Sequence, residues 1–149
     1  MTHLIIVTDP IKLKKKSEEI ENPHLDEYKD LAQEMIICMN ENNGVGLAAP
    51  QIGKMINLIV VKGGLDGAPI PDDLLLANPI IAKRSQIKDN KSETCLSVPN
   101  KSVKKKRSLS IDIEAFDVGL GMKVKLHCTG LSARCIQHEI DHLNGIILE

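Results

Sequence analysis

Tryptophan is missing from this chain of 149 residues, which has a single tyrosine and a single phenylalanine. A core without aromatics must be filled by Leu, Ile, Val and Met, and an apolar content of 42% supplies enough of them for one domain, residues 1–149. Net charge is nearly absent as well, at −1, so no global field calls for DNA or an anionic membrane. No apolar run approaches the roughly 20 residues of a membrane span. The run at the start, Leu4 to Val7, is too short for a signal peptide. Together these absences predict a cytoplasmic protein, encoded by a cell, an organelle or a virus. In that reducing setting Cys38, Cys95, Cys128 and Cys135 are expected as ligands, nucleophiles or core residues rather than as two disulfides. Internal repeats and low-complexity segments are also missing.

Residues 4–7 suggest a short strand, succeeded by a polar segment containing Lys14-Lys15-Lys16. Leu25, Tyr28, Ala32, Met35 and Met39 recur at helical spacing, which predicts an amphipathic helix over about 25–41 that packs on a sheet. Asn42-Asn43-Gly44 would end it. The run Gly44 to Gly53 formally contains G-x-G-x-x-A, but a helix precedes it and Pro50 blocks a helix after it. The strand–turn–helix context of a dinucleotide site is therefore missing. Its small residues point instead to close approach of backbone to another group. Gln51 is the only side chain of that run with hydrogen-bonding groups.

Asn57–Val61 is predicted as a strand, and Leu74–Ile81 as another, with Pro79 placing it at an edge or a strand end. A polar loop then leads to Glu93-Thr94-Cys95-Leu96-Ser97-Val98-Pro99. From Lys101 to Arg107 five of seven residues are cationic. Such a run usually forms a solvated loop, with contact to ribosomal RNA or a phosphate as the alternative. Alternation over 111–115 and 122–128 around Gly119 and Gly121 predicts a β-hairpin. Thr129 is positioned to cap a last helix, about 130–144, closed by Asn144-Gly145. The fold class is α+β: antiparallel-type strands packed around a C-terminal helix, plus one N-terminal amphipathic helix.

That last helix carries His138-Glu139-Ile140-Asp141-His142. At about 100° per residue, Leu131, Cys135, His138 and His142 lie within roughly 60° of one another. Ile136, Ile140 and Leu143 take the opposite side. Glu139 lies roughly 80° off the histidine stripe, too far round to ligate easily but near enough to touch a water activated there. This is the H-E-x-x-H arrangement of a catalytic metal site, with Glu139 as general base. Such a site needs a third protein ligand. Cys95 is preferred among the four cysteines because it lies outside any regular helix, whereas Cys38 and Cys128 look like core positions and Cys135 like a pocket residue.

Three segments, GVGLAAPQIG (44–53), ETCLSVP (93–99) and QHEIDHLNG (137–145), resemble the three signature motifs of the peptide deformylases in order and separation. The resemblance implies that Cys95, His138 and His142 hold one divalent ion, Fe(II) as a rule, with Zn, Ni or Co as substitutes. It implies Glu139 as general acid and base, with Gln51 and the backbone N–H of Leu96 holding the oxyanion. Val45, Gly46, Leu131, Cys135 and the stem of Arg134 would line a pocket for a methionine side chain. The substrate would be the N-formyl group of a nascent peptide beginning with formyl-methionine, and the products formate and a free amine. Arg107 is expected to pair with Glu93 behind the cysteine loop. A monomer with transient ribosome contact is expected.

The chain departs from the family pattern at Thr94, where Gly is usual between Glu and Cys, and it ends at Glu149 without the C-terminal extension of many bacterial members. Threonine resists positive φ, so an extended backbone is expected at residue 94. Two other readings remain. An H-E-x-x-H metallopeptidase would need a third His or Glu, and no suitable ligand comes after His142. A non-catalytic relative would bind ribosomes or formyl-peptides without turning them over.

Overall fold

Two long helices sandwich one sheet, and a separate two-stranded ribbon closes over the C-terminal one. The computed structural model describes residues 4–148. In order, the elements are α1 (Pro10–Leu13), α2 (Asp26–Glu41), β1 (Gly46–Ala48), a 3-10 turn (Ala49–Ile52), β2 (Leu58–Val61), β3 (Leu74–Arg84), β4 (Lys88–Cys95), β5 (Val98–Ser108), β6 (Ser110–Asp117), β7 (Met122–Thr129) and α3 (Gly130–Leu143). One antiparallel sheet runs β1-β2-β3-β6-β7, and β4 with β5 forms the ribbon.

The period-2 alternation of strands divides the core in two. Ile59, Val61, Leu74 and Leu76 point to the face covered by Ile136, Ile140 and Leu143 of α3. Leu58, Val60 and Ala77 point to the face covered by Ala32, Met35 and Met39 of α2. A strand buried on both faces reads as an unbroken apolar run, which is why β2 is Leu-Ile-Val-Val. The two aromatic side chains, Tyr28 and Phe116, are only partly buried against the α2 side. The α+β class and both long helices match expectation, with α2 starting at Asp26.

Several expectations are corrected. Residues 4–7 are not a strand; among the described residues they make a single backbone–backbone bond, from the Val7 N–H to the Gln51 carbonyl at 2.7 Å, and α1 begins at Pro10. Pro79 marks neither an edge nor an end, because β3 is the central strand. The ladder to β6 shifts register between Ala77 and Ile80, and Asn78 adopts a positive φ of 51°. This bulge relieves the strand of the N–H that proline lacks. The Asn78 amide both donates to and accepts from the Ile20 backbone at 2.8 Å, which fixes the chain leading into α2.

The basic run is not a loop. It belongs to β5, paired with β4 from Lys88↔Ser108 to Thr94↔Ser102. Thr129 occupies the N-cap position of α3 but its side chain makes no capping bond. The Asp66 carbonyl does so instead, accepting from the Ser132 N–H at 2.9 Å. At the other end Gly145, with φ 73°, permits the Ile146 N–H to reach the Asp141 carbonyl at 2.9 Å, the expected glycine-closed terminus.

Candidate metal centre

The hydrophobic side of α3 is anchored in the sheet core, so its opposite side is presented at a fixed height above β1 and the ribbon. Cys135, His138 and His142 are all buried on that side, while Leu131 at its start is 44% exposed. Cys95 arrives from the tip of the ribbon, where Leu96-Ser97 is the turn and Cys95 pairs with Val98. The register jumps between Thr94 and Cys95, and Asn100 takes φ 63°. This irregularity bends the tip toward α3. The Cys95 sulfur lies 3.3 Å from His142 Nε2, which lies 3.2 Å from His138 Nε2.

These three ligand atoms fall within 4.8 Å of one another. A tetrahedral ion with metal–nitrogen bonds of about 2.0–2.1 Å would set two nitrogens roughly 3.3 Å apart, so the spacing suits one shared cation. The donor set, one thiolate sulfur and two imidazoles, suits a divalent transition metal rather than magnesium or calcium. His138 turns its Nδ1 to Glu93 Oε1 at 3.1 Å, which leaves Nε2 as the ligating atom. A carboxylate behind a ligand imidazole is the usual outer support of such centres. The two imidazoles oppose each other electrostatically. Burial lowers the His142 pKa, and the His138 charge lowers it further. For His138 burial also favours the neutral form, but Glu139, Cys95 and Glu93 outweigh it and push the pKa up.

Glu93 anchors the whole arrangement. Besides His138 it accepts from Arg107 Nε and Nη2, both at 3.0 Å, and from Arg134 Nη1 at 2.5 Å. Burial alone would raise its pKa, yet His138, Arg107 and Arg134 bring it down to about 2. Arg107 reaches on to Asp141 of α3. Arg134 also donates to the Asp89 carboxylate at 2.6 Å and to the carbonyls of Asp89 and Lys105 at 3.0 and 2.8 Å. The predicted Arg107–Glu93 pair is present. Asp89 and Asp141, the other acidic partners of these arginines, were given no role from the sequence, although Asp141 lies within the third motif.

Glu139 is 3% exposed, and its Oε1 has no hydrogen-bond partner among the described residues. Burial raises its pKa to about 7 against the pull of His138 and Arg107, within the range useful for moving protons at neutral pH. Gly46 explains part of its surroundings. A Cβ there would come within 2.6 Å of Glu139 Oε2 and 2.7 Å of the Cys135 sulfur, so β1 can pass this close only as glycine. Gln51 lies on the 3-10 turn. Its Oε1 accepts from the Ala48 N–H at 2.9 Å, and its Nε2 donates to Ser97 Oγ at 3.1 Å and to the Cys95 sulfur at 3.5 Å.

These groups share a cleft of about 220 Å³. Val45, Gly46, Gln51, Thr94, Cys95, Leu96, Leu131, Arg134, Cys135, His138 and Glu139 all line it, so every predicted site residue is brought to it except His142, which is 1% exposed beneath it. Asn43 and Ser92 line it too, without having been singled out. All four cysteines are free and buried. Thr94 lies in β4 and is not among the residues of positive φ, which leaves its backbone extended as expected.

A sequence model of the polypeptide deformylases matches residues 1–148. A peptide deformylase of Brucella suis is 34% identical over 144 residues, covering 97% of this chain and 80% of that protein. One from Parasynechococcus marenigrum is 39% identical over 122 residues, covering 82% of this chain and 60% of its own length. The chain thus matches about 60% of the length of several cyanobacterial relatives. Among solved structures, a Met-Ala-Ser-bound peptide deformylase of Acinetobacter baumannii superposes with a TM-score of 0.88 at 30% identity, covering 99% of this chain and 96% of that one.

Proposed function

Because the chain belongs to the polypeptide deformylase family, we propose that it hydrolyses the N-formyl group of formyl-methionine at the start of nascent polypeptides. The carbon–nitrogen bond of the formamide breaks, a carbon–oxygen bond to water forms, and formate and a free amine leave. The observation that carries this reading is the convergence of Cys95, His138 and His142 within 4.8 Å beside the buried Glu139 carboxyl.

Cys95, His138 and His142 would hold one divalent ion, Fe(II) in the native state with Zn, Ni or Co as substitutes, which supplies Lewis acidity to water and to the formyl oxygen. Glu139 is the acid and base: its unpartnered Oε1 takes a proton from the attacking water and returns one to the leaving amine. Gln51 and the Leu96 N–H receive the oxyanion. The Gln51 carbonyl is already fixed on Ala48, so its amide nitrogen is aimed before substrate arrives; turning one N–H from the long contact to the Cys95 sulfur frees a donor. Val45, Gly46, Leu131, Cys135 and the Arg134 stem form the methionine pocket. Binding of Met-Ala-Ser by the Acinetobacter baumannii relative supports a substrate of that kind.

Residues 1–149 act as one catalytic domain, monomeric and cytoplasmic, with transient ribosome contact. No described helix is long and apolar enough to cross a membrane. A non-catalytic formyl-peptide binder is not favoured, since the donor triad and the Glu139 carboxyl occur together. The test is formate release from formyl-Met-Ala-Ser by the metal-loaded protein. Absence of formate at full metal occupancy would sink the reading.

A further inference from the structure

The β4–β5 ribbon keeps both of its acids on one face. Residues directly opposite in an antiparallel pair share a face, and faces alternate along each strand. Both acids of the ribbon, Asp89 and Glu93, are on the inner face, where Arg134 and Arg107 neutralise them. The outer face pairs Lys106 with Asn90, Lys104 with Ser92, and Ser102 with Thr94, and Lys88 continues the row. Every one of these seven side chains is exposed. Lys88, Lys104 and Lys106 make no ion pair among the described residues, nor does exposed Arg84 beside them. Arg84, Lys88, Lys105 and Lys106 border a concavity of about 240 Å³ whose one acid, Asp141, is already held by Arg107.

A chain of net charge −1 gains nothing in solubility from a single-sign strip that mixed charges would not give. Lysines also guard an exposed ribbon against pairing, but that role does not require a row of cations free of any acid. An unpaired cationic face with neutral hydrogen-bonding neighbours fits an array of phosphates. The face offers no aromatic ring on which single-stranded bases could stack, and the one apolar side chain at its concavity, Ile146 at 46% exposure, is too little alone to anchor in a membrane. What remains is a regular array of phosphates, the backbone of a folded nucleic acid. We propose that the outer face of the ribbon, with the adjoining concavity between the ribbon's base and α3, docks the phosphate backbone of structured RNA beside the cleft. Thr94 and Ser92 belong both to this face and to the cleft, so docking would set the cleft next to RNA-borne machinery. The choice of RNA as polyanion leans on the proposed nascent-chain substrate, but binding is measured without turnover.

The experiment uses the full chain carrying Glu139→Gln and a labelled 20-base-pair RNA duplex, read by fluorescence anisotropy between 50 and 200 mM KCl. About three phosphate contacts predict a slope of log K against log salt near −3. Lys104→Glu with Lys106→Glu should weaken binding at least tenfold at 50 mM and flatten the slope by about 2. Lys104→Gln with Lys106→Gln should weaken it less, and the Arg pair should restore it. In the otherwise native chain, the same pairs should leave formyl-Met-Ala-Ser turnover unchanged. Binding that is absent at 50 mM salt, or indifferent to both charge-removing pairs, would overturn the proposal. So would phosphatidylglycerol vesicles that bind as tightly as the duplex and lose as much in the variants, since the face would then belong to a lipid surface. Loss of deformylation with RNA binding retained would count against the catalytic reading alone.

Discussion

Arg107 spans both carboxylate oxygens of Glu93, its Nε and Nη2 each 3.0 Å away, and the same carboxylate orients His138 through Nδ1. One buried acid therefore joins the ribbon to the helix that carries the histidines. Glu93→Gln would leave Arg107 and Arg134 with too little negative charge, at a cost of about 3–5 kcal/mol in urea unfolding at pH 7. The acid limb gives an independent reading. A carboxyl depressed from 4.5 to about 2 stabilises the fold above pH 4.5, and that contribution is lost as pH falls through about 2. The native protein should lose stability steeply over this window, and the Gln variant should lose less. An identical pH slope in the two proteins would remove Glu93 from this role.

The metal assignment separates the cysteines. Cys95→Ala should lose bound metal and turnover together, whereas Cys38→Ala should keep both, since Cys38 lies in the α2-side core. Stoichiometric metal retained in the Cys95 variant, measured by plasma emission spectroscopy, would refute the ligand set. With Fe(II) bound, turnover should decay in air as the iron or its thiolate oxidises.

The site was legible where its geometry is local. His138 and His142 are one helical turn apart, so α3 declares its own ligand face, and β2 declares its double burial by an unbroken apolar run. The ribbon was not legible, because its alternation is one of charge rather than hydrophobicity. The Arg107–Glu93 pair was expected, but its burial was not, because Arg134 and Asp141 of α3, which close over it, are 41 and 34 residues distant. Val7 shows the converse failure. Its run is β-prone, but among the described residues only one backbone bond, to Gln51, awaits it, and propensity without a ladder makes no strand.

Glu139→Gln keeps the shape and hydrogen-bonding capacity of the side chain but cannot accept a proton. Metal content should be unchanged while kcat falls by a factor on the order of 10² or more, the usual scale for a lost acid–base group. Near-normal turnover would exclude Glu139 as the base.

Gly46→Ala tests the close pass of β1 over the helix. The added carbon would meet Glu139 Oε2 at 2.6 Å and the Cys135 sulfur at 2.7 Å, and both residues are buried. Displacing either costs about 1–3 kcal/mol by the usual scale of overpacking. The expected result is a kcat reduced at least tenfold with metal retained. A variant with native stability and native kcat would show that the strand yields freely here.

Thr94 is where the chain leaves the pattern it otherwise keeps. A glycine beside a ligand cysteine serves either to allow a backbone angle that other residues resist or to let a substrate backbone pass closely. The first purpose is not in use, because β4 is extended through Thr94 and the nearby positive φ falls on Asn100, across the ribbon. That leaves the second. Thr94 lines the cleft on the cationic outer face, opposite Ser102, where its β-branched side chain narrows the path of residues that come after formyl-methionine. Thr94→Gly should therefore leave metal content unchanged and widen acceptance of bulky second residues. The readout is the ratio of kcat/KM for formyl-Met-Trp-Ser to that for formyl-Met-Ala-Ser, which should rise several-fold. A ratio unchanged from the native protein would mean that the threonine wall does not meet the substrate.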